Sequence, residues 1–295
     1  MGAKRYTLHA VKIGTTVLAG TASQRATPNG EVEIPVTDGG PYPTVAATLR
    51  KVRGFEFVTH DIPGIIGAVT LLAKDISTIS GGVILISADQ GPVARASGTT
   101  HLLRTVTAGI IAITAIPADD GRLSQATVQV IPISSDGFTD PVDKATGALP
   151  AITTPWGQAF TLGGVNINST LLSSVKTWRL NLGFQFFQDT DNGKPFVQFA
   201  SVQQEAPTVD IEHADDAYDA PAVLTDATMF LRSIATGGGP EADVELAHIA
   251  FGVAGGVVND TDVSWNYAAT KGLRIDTRKD GATGIVTYTA DQAIA

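Results

Sequence analysis

The chain has no cysteine among its 295 residues. That removes disulfide staples, thiolate–zinc sites and thiol nucleophiles together. It does not fix a compartment, because a chain this long buries a sizeable core without covalent help. Charge is also scarce. Only 17% of residues are charged, and 20 bases stand against 29 acids for a net charge of −9. A dedicated DNA or RNA reader needs a basic face, so specific nucleic-acid recognition is disfavoured. Long apolar runs are missing too: Gly64–Ala73 and Ile249–Val258 fall well short of the ~20 residues that span a bilayer. At the start, His9 and Lys12 interrupt any secretory apolar core, and Tyr6 breaks the myristoylation pattern. The expectation is a protein made in the cytoplasm, without membrane insertion.

What is present points to strands. Hydrophobic residues make up 43%, too many for a disordered chain, and the 31 glycines with abundant Thr and Val favour strands and turns over long surface helices. At about 150 residues per domain, the length implies one or two domains. The expected organisation is a β-rich unit at 1–133, a linker or inter-subunit loop at 134–157, and a second β-rich unit at 158–295, or else one continuous domain. The 134–157 stretch contains Pro141, Pro150 and Pro155 and shows no periodic apolar face. It is expected to be mobile in a free subunit. The fold class predicted is mainly β: antiparallel sandwich or barrel units with one or two short packed helices.

Periodicity supports this locally. Tyr6–Ile13, Thr15–Ala19, Glu31–Val36, Lys51–Thr59, Val83–Ile86 and Ala159–Ile167 read as strands, and Thr105–Ile116 pairs with Leu123–Ile133 through the turn at Pro117–Gly121. Asp61 resembles a helix cap, with Ile62, Ile65, Ile66, Val69, Leu72 and Ile76 recurring at helical spacing behind it. Val223–Ile234 and Ala242–Val253 fit either element. Val263–Tyr267 and Gly284–Thr289 close the chain as strands.

The strongest alternation is TWRLNLGFQFF, where Trp178, Leu180, Leu182, Phe184 and Phe186 share one face of a strand. The DTDNG that follows resembles a calcium loop but fails the count: Gly193 arrives one residue early, and Ala200 occupies the position of the bidentate Glu. Asn192-Gly193 is read as a hairpin turn returning into Phe196–Val202.

Tests for chemistry come out empty. Ser173-Ser174-Val175-Lys176 has the S-x-x-K spacing but leads into a strand, where residues three apart face opposite ways. His9, His60, His101, His213 and His248 are scattered, with no metal-binding spacing among them. Glu205 through Asp226 holds Glu205, Asp210, Glu212, Asp215, Asp216, Asp219 and Asp226 without a Lys or Arg, and His213 with Asp210, Asp215, Asp216 and Asp219 is the candidate set for a hard cation. A solvated acidic loop is preferred there over a cation site. No catalytic, cofactor-binding or metal-binding residue is assigned, and the chain is read as a non-enzyme. Apolar strand faces without chemistry are normally covered by partner subunits.

With these features, the sequence resembles the major tail tube proteins of long-tailed bacteriophages and their relatives in contractile injection machines. The residues that carry the resemblance are the aromatic strand Val175–Phe187, the Pro207-containing exit into Thr208–Ile211, a single amphipathic helix among strands, and the Ser134–Gly157 excursion. The resemblance implies a β-sandwich or barrel subunit that forms hexameric rings. These stack into a virion tail tube, built in the host cytoplasm, beside other tail proteins. DNA would pass through without specific binding. The chain is long for a minimal tube subunit, which implies an added outer domain or a duplication. Two other classes remain open: a capsid decoration or tail fibre protein, and a carbohydrate-binding module stacking sugars on Trp156, Trp178 or Trp265. Alternation with Leu180 and Leu182 places Trp178 in a core instead.

Overall fold

A computed structural model describes residues 6–18, 20–26, 29–33, 47–91, 98–151, 159–214, 223–235, 238–264, 270–277 and 285–294. The chain opens with the hairpin β1 (Tyr6–Ile13) and β2 (Thr16–Leu18), followed by β3 (Thr21–Ala26), β4 (Asn29–Glu33), β5 (Ala47–Val52) and β6 (Phe55–Thr59). The helix α1 (Ile62–Val69) comes next. After it run β7 (Lys74–Asp75), β8 (Val83–Asp89), β9 (His101–Val106), β10 (Gly109–Asp119), β11 (Ala126–Pro132) and β12 (Asp143–Gly147). The rest of the chain gives β13 (Ala159–Ile167), β14 (Thr170–Leu172), β15 (Val175–Asn181), β16 (Phe184–Asp189), β17 (Phe199–Glu205) and β18 (Thr208–His213). It ends with β19 (Leu224–Ile234), β20 (His248–Ser264), β21 (Thr270–Thr277) and β22 (Val286–Gln292).

The protein is mainly β, with large antiparallel sheets and, among the described residues, one α-helix. The larger sheet runs β14-β13-β19-β20-β21-β18-β15-β10-β11-β6-β3, with β22 added to β20 and β7 to β10. A second sheet runs β12-β9-β8-β1-β2, and β16-β17 and β4-β5 are separate hairpins. The larger sheet draws strands from both sides of 134–157, joined where β10 pairs β15 from Ala115↔Asn181 to Asp119↔Thr177.

The larger sheet curls over its own core. Trp178 of β15 is fully buried, its Nε1 donates to the Phe230 carbonyl of β19 at 3.2 Å, and its ring meets Phe251 of β20 edge-on at 6.0 Å. Three strands separate β15 from β19 in the sheet order, so this contact requires the faces to close on each other. Helix α1 touches β2 of one sheet and β10 of the other, burying Ile62, Ile65, Ile66 and Val69 between them. Asp61 caps it as expected, its carboxylate accepting from Gly64 N at 2.9 Å. The helix is shorter than the periodicity predicts. Thr70 at φ 73° ends it, Leu72 is exposed, and Ile76 reaches the core from a separate 3-10 turn.

Other differences have local causes. Lys51–Thr59 breaks at Arg53-Gly54, and Thr105–Ile116 breaks before Gly109, whose φ of 131° takes the chain out of the strand conformation. Within Ala242–Val253 the strand begins only at His248, and Val223–Ile234 is strand β19. The 134–157 stretch, expected to be irregular, contributes β12, paired along its length with β9. Its side chains are almost all exposed, so it joins the sheet by backbone hydrogen bonds alone and has no reason to carry apolar alternation. Residues 152–157, including Trp156, lie outside the described residues.

Candidate functional site

Among the described residues, three of the histidines hydrogen-bond to the backbone at separate places in the fold. His248 is buried, with Nδ1 accepting from Ser233 N at 3.0 Å and Nε2 donating to Ala242 O at 2.9 Å. His101 accepts from Asp89 N at 3.0 Å, and His60 Nδ1 lies 2.9 Å from the Ser124 carbonyl. His213 is buried on β18, while its proposed neighbours Asp215, Asp216 and Asp219 lie outside the described residues. Among the described residues, no group of three or more His, Asp or Glu is placed to hold a metal. Ser174, at φ 54°, turns the chain into β15, so Lys176 stands exposed on a strand.

The surface best built for contact is the aromatic hairpin. Sequence alternation predicts one strand from Trp178 through Phe186, but the strand divides. Trp178, Leu180 and Leu182 are fully buried; Gly183, at φ 61°, then turns the chain out of the large sheet, and Phe184–Asp189 pairs only with β17. The apolar row therefore leaves the core halfway along. Phe184 packs against the core margin and lies 5.9 Å from Phe186 on the same face. On the opposite face Phe187 and Phe199 meet edge-on at 6.2 Å and are 39% and 55% exposed. Val202 lies opposite Phe186 and roofs a cleft of ≈190 Å³ with Ala200, Lys74, Ile110 and Ile133. Within the described residues, neither strand has a second neighbour. A free two-stranded edge carrying exposed aromatics is a template for pairing or packing. The adjacent Phe186-Phe187 already signals this, since neighbours in a strand face opposite ways and at most one of them faces the core.

The far end of the hairpin is tied down. Ser134 N donates to Val197 O at 2.7 Å, Phe196 N to Gly137 O at 3.0 Å, and Lys51 N to Pro195 O at 2.6 Å. Lys194 sits 5.9 Å over the exposed Phe138 ring. Both ends of the hairpin are thus bonded to the rest of the fold, and a surface held in place in this way loses less entropy on binding.

Gly183 is the pivot of this arrangement. A Cβ there would overlap the Ala206 carbonyl oxygen, and the left-handed conformation adds its own cost. Gly183→Ala is expected to destabilise by at least about 2–3 kcal/mol. Gly193→Ala has the same backbone sign, φ 68°, but open space around it, so about 1 kcal/mol is expected. Urea midpoints of the two variants check the difference.

Asp136 organises the turn that holds the hairpin tip. It accepts from Thr139 N at 2.8 Å, Thr139 Oγ1 at 2.7 Å, Phe138 N at 2.8 Å and Ser134 Oγ at 2.9 Å. These bonds, those from Thr139 foremost, hold its carboxyl well below the usual carboxylate range. Because the folded value is depressed, the turn's contribution is complete above the ordinary carboxylate pKa and is lost only in strongly acid solution. Carboxyl-carbon NMR titration should find Asp136 still ionised at a pH where exposed aspartates are half protonated.

A second feature is a polar trough of ≈640 Å³ on the outer face of the large sheet, lined by Asp119, Thr177, Arg179, Asp210, Glu212 and Thr261. Asp210, one of these residues, is tied to charged and polar groups beside the trough. Asn181 donates to Asp210 at 3.0 Å, and Arg274 Nε donates to Asp276 at 3.0 Å with Nη1 3.9 Å from Asp210. Asp276, with Asp210 behind it, raises the Arg274 pKa. These partners satisfy one another, as on a solvated sheet face.

No family model matches the chain, and no curated protein matches it.

Proposed function

We propose that the protein is a self-assembling structural subunit of a phage virion, forming the rings of a tail tube through which the genome passes. The observation that carries the reading is the β16–β17 hairpin: a two-stranded sheet, anchored at both ends, with Phe187 and Phe199 exposed and, among the described residues, no further strand beside it. An exposed strand edge is a template for pairing with another chain, and a copy of the same chain is the partner always present. The stretch at 134–151 supports the reading by bracing the hairpin tip through Ser134 and Gly137. DNA would be kept from sticking by carboxylates, and the trough holds Asp119, Asp210 and Glu212 against Arg179. Other tail proteins would cap or extend the tube.

Sugar stacking finds less support. Trp178 is fully buried and offers no platform, while Trp156 and Trp265 lie outside the described residues. Sedimentation velocity over a hundredfold range of protein concentration tests the proposal. Growth of ring-sized species with concentration is expected; a single monomer boundary throughout would count against it.

A further inference from the structure

The edge of the smaller sheet carries an arrangement that folding alone does not favour. In the β9–β12 pairing Arg104 lies directly opposite Lys144. Side chains opposed in this way have Cβ atoms about 4.5–5.5 Å apart, and like charges so placed repel. Arg53 joins them from the β5–β6 connection, and the three line a pocket of ≈180 Å³ with Phe55, Asp140 and Val142. Asp140 is the one carboxylate among those lining residues, and Arg53 Nη2 already engages it at 3.0 Å. Arg53 Nε is buried with no partner, and no described hydrogen bond or ion pair engages the side chain of Arg104 or Lys144. Phe55 and Val142 are buried, so part of the wall is apolar and screens these charges less than water does. Three cations thus converge on one neutralised carboxylate, in a chain whose net charge is −9.

We propose that this pocket binds an oxyanion, held between Arg104 and Lys144 with Arg53 Nε as a further donor. Guanidinium and ammonium groups around a small pocket match the charge and acceptor geometry of phosphate or carboxylate. Binding would convert the repulsion between Arg104 and Lys144 into shared attraction. The site does not depend on the assembly reading, although a carboxylate of a neighbouring copy is one source of the same chemistry.

The test is thermal unfolding of the full chain in sodium phosphate against sodium chloride at matched ionic strength, for wild type, Arg104→Gln and Lys144→Gln. With phosphate at about ten times its Kd, the wild-type melting temperature should rise by roughly 2–5 °C over chloride. Both variants should lose most of that rise. General exclusion of phosphate from protein surfaces would lift all three alike. If the wild type shows no rise, sedimentation of the same proteins decides the source. Self-association lost in both variants assigns the pocket to a neighbour's carboxylate. The proposal is overturned if the variants keep the full phosphate response, or if neither phosphate nor self-association distinguishes them from wild type.

Discussion

Trp178→Ala is expected to lower unfolding stability by about 3–5 kcal/mol, a large share of the ~5–15 kcal/mol that holds a typical domain folded. The indole is fully buried at the point where the large sheet closes on itself, and its loss opens a cavity facing Phe251. The substitution also removes the donor to the Phe230 carbonyl. That carbonyl lies in a strand paired with β20 at Phe230↔Ala250, so cavity formation is the larger part of the cost. Trp178→Phe keeps most of the volume and should cost about 1–2 kcal/mol. Urea denaturation of both variants, read by circular dichroism, gives the two values. A wild-type midpoint for Trp178→Ala would mean that β15 and β19 do not meet across a common core.

The second large effect concerns association. Phe187→Ser with Phe199→Ser removes both exposed rings from the outer face of the hairpin. An aromatic hot spot near an interface centre carries about 2 kcal/mol or more, so even one such anchor of the two makes the double variant weaken self-association at least about 30-fold. Subunit stability should fall by only about 1 kcal/mol, the loss of the Phe187–Phe199 cross-strand pair, because both side chains are partly exposed in the single chain. Light scattering beside a urea titration separates the two quantities. A variant that assembles as well as wild type would move the contact surface away from the hairpin.

The fold class was legible because burial imposes periodicity. β1 and β13 occur with the bounds that alternation predicts, and Trp178, Leu180 and Leu182 line the core as their spacing requires. What alternation does not reveal is a change of sheet. Leu182-Gly183-Phe184 keeps the polar–apolar phase while Gly183 redirects the chain, so the aromatic row looks continuous although only its first half is core. β12 was hidden for the opposite reason: an edge strand with exposed side chains has no apolar face to display. The Arg104–Lys144 juxtaposition was equally out of reach, since it depends on the register between strands 37 residues or more apart in sequence. Asp61 was readable because a helix cap is local chemistry.

Negative-stain electron microscopy of the purified wild-type protein, imaged beside the Phe187→Ser/Phe199→Ser variant, tests the proposed assembly most directly. Rings or tubes of uniform diameter are expected for the wild type, and dispersed single particles for the variant. Single particles for both, at concentrations where the wild type is folded, would contradict it.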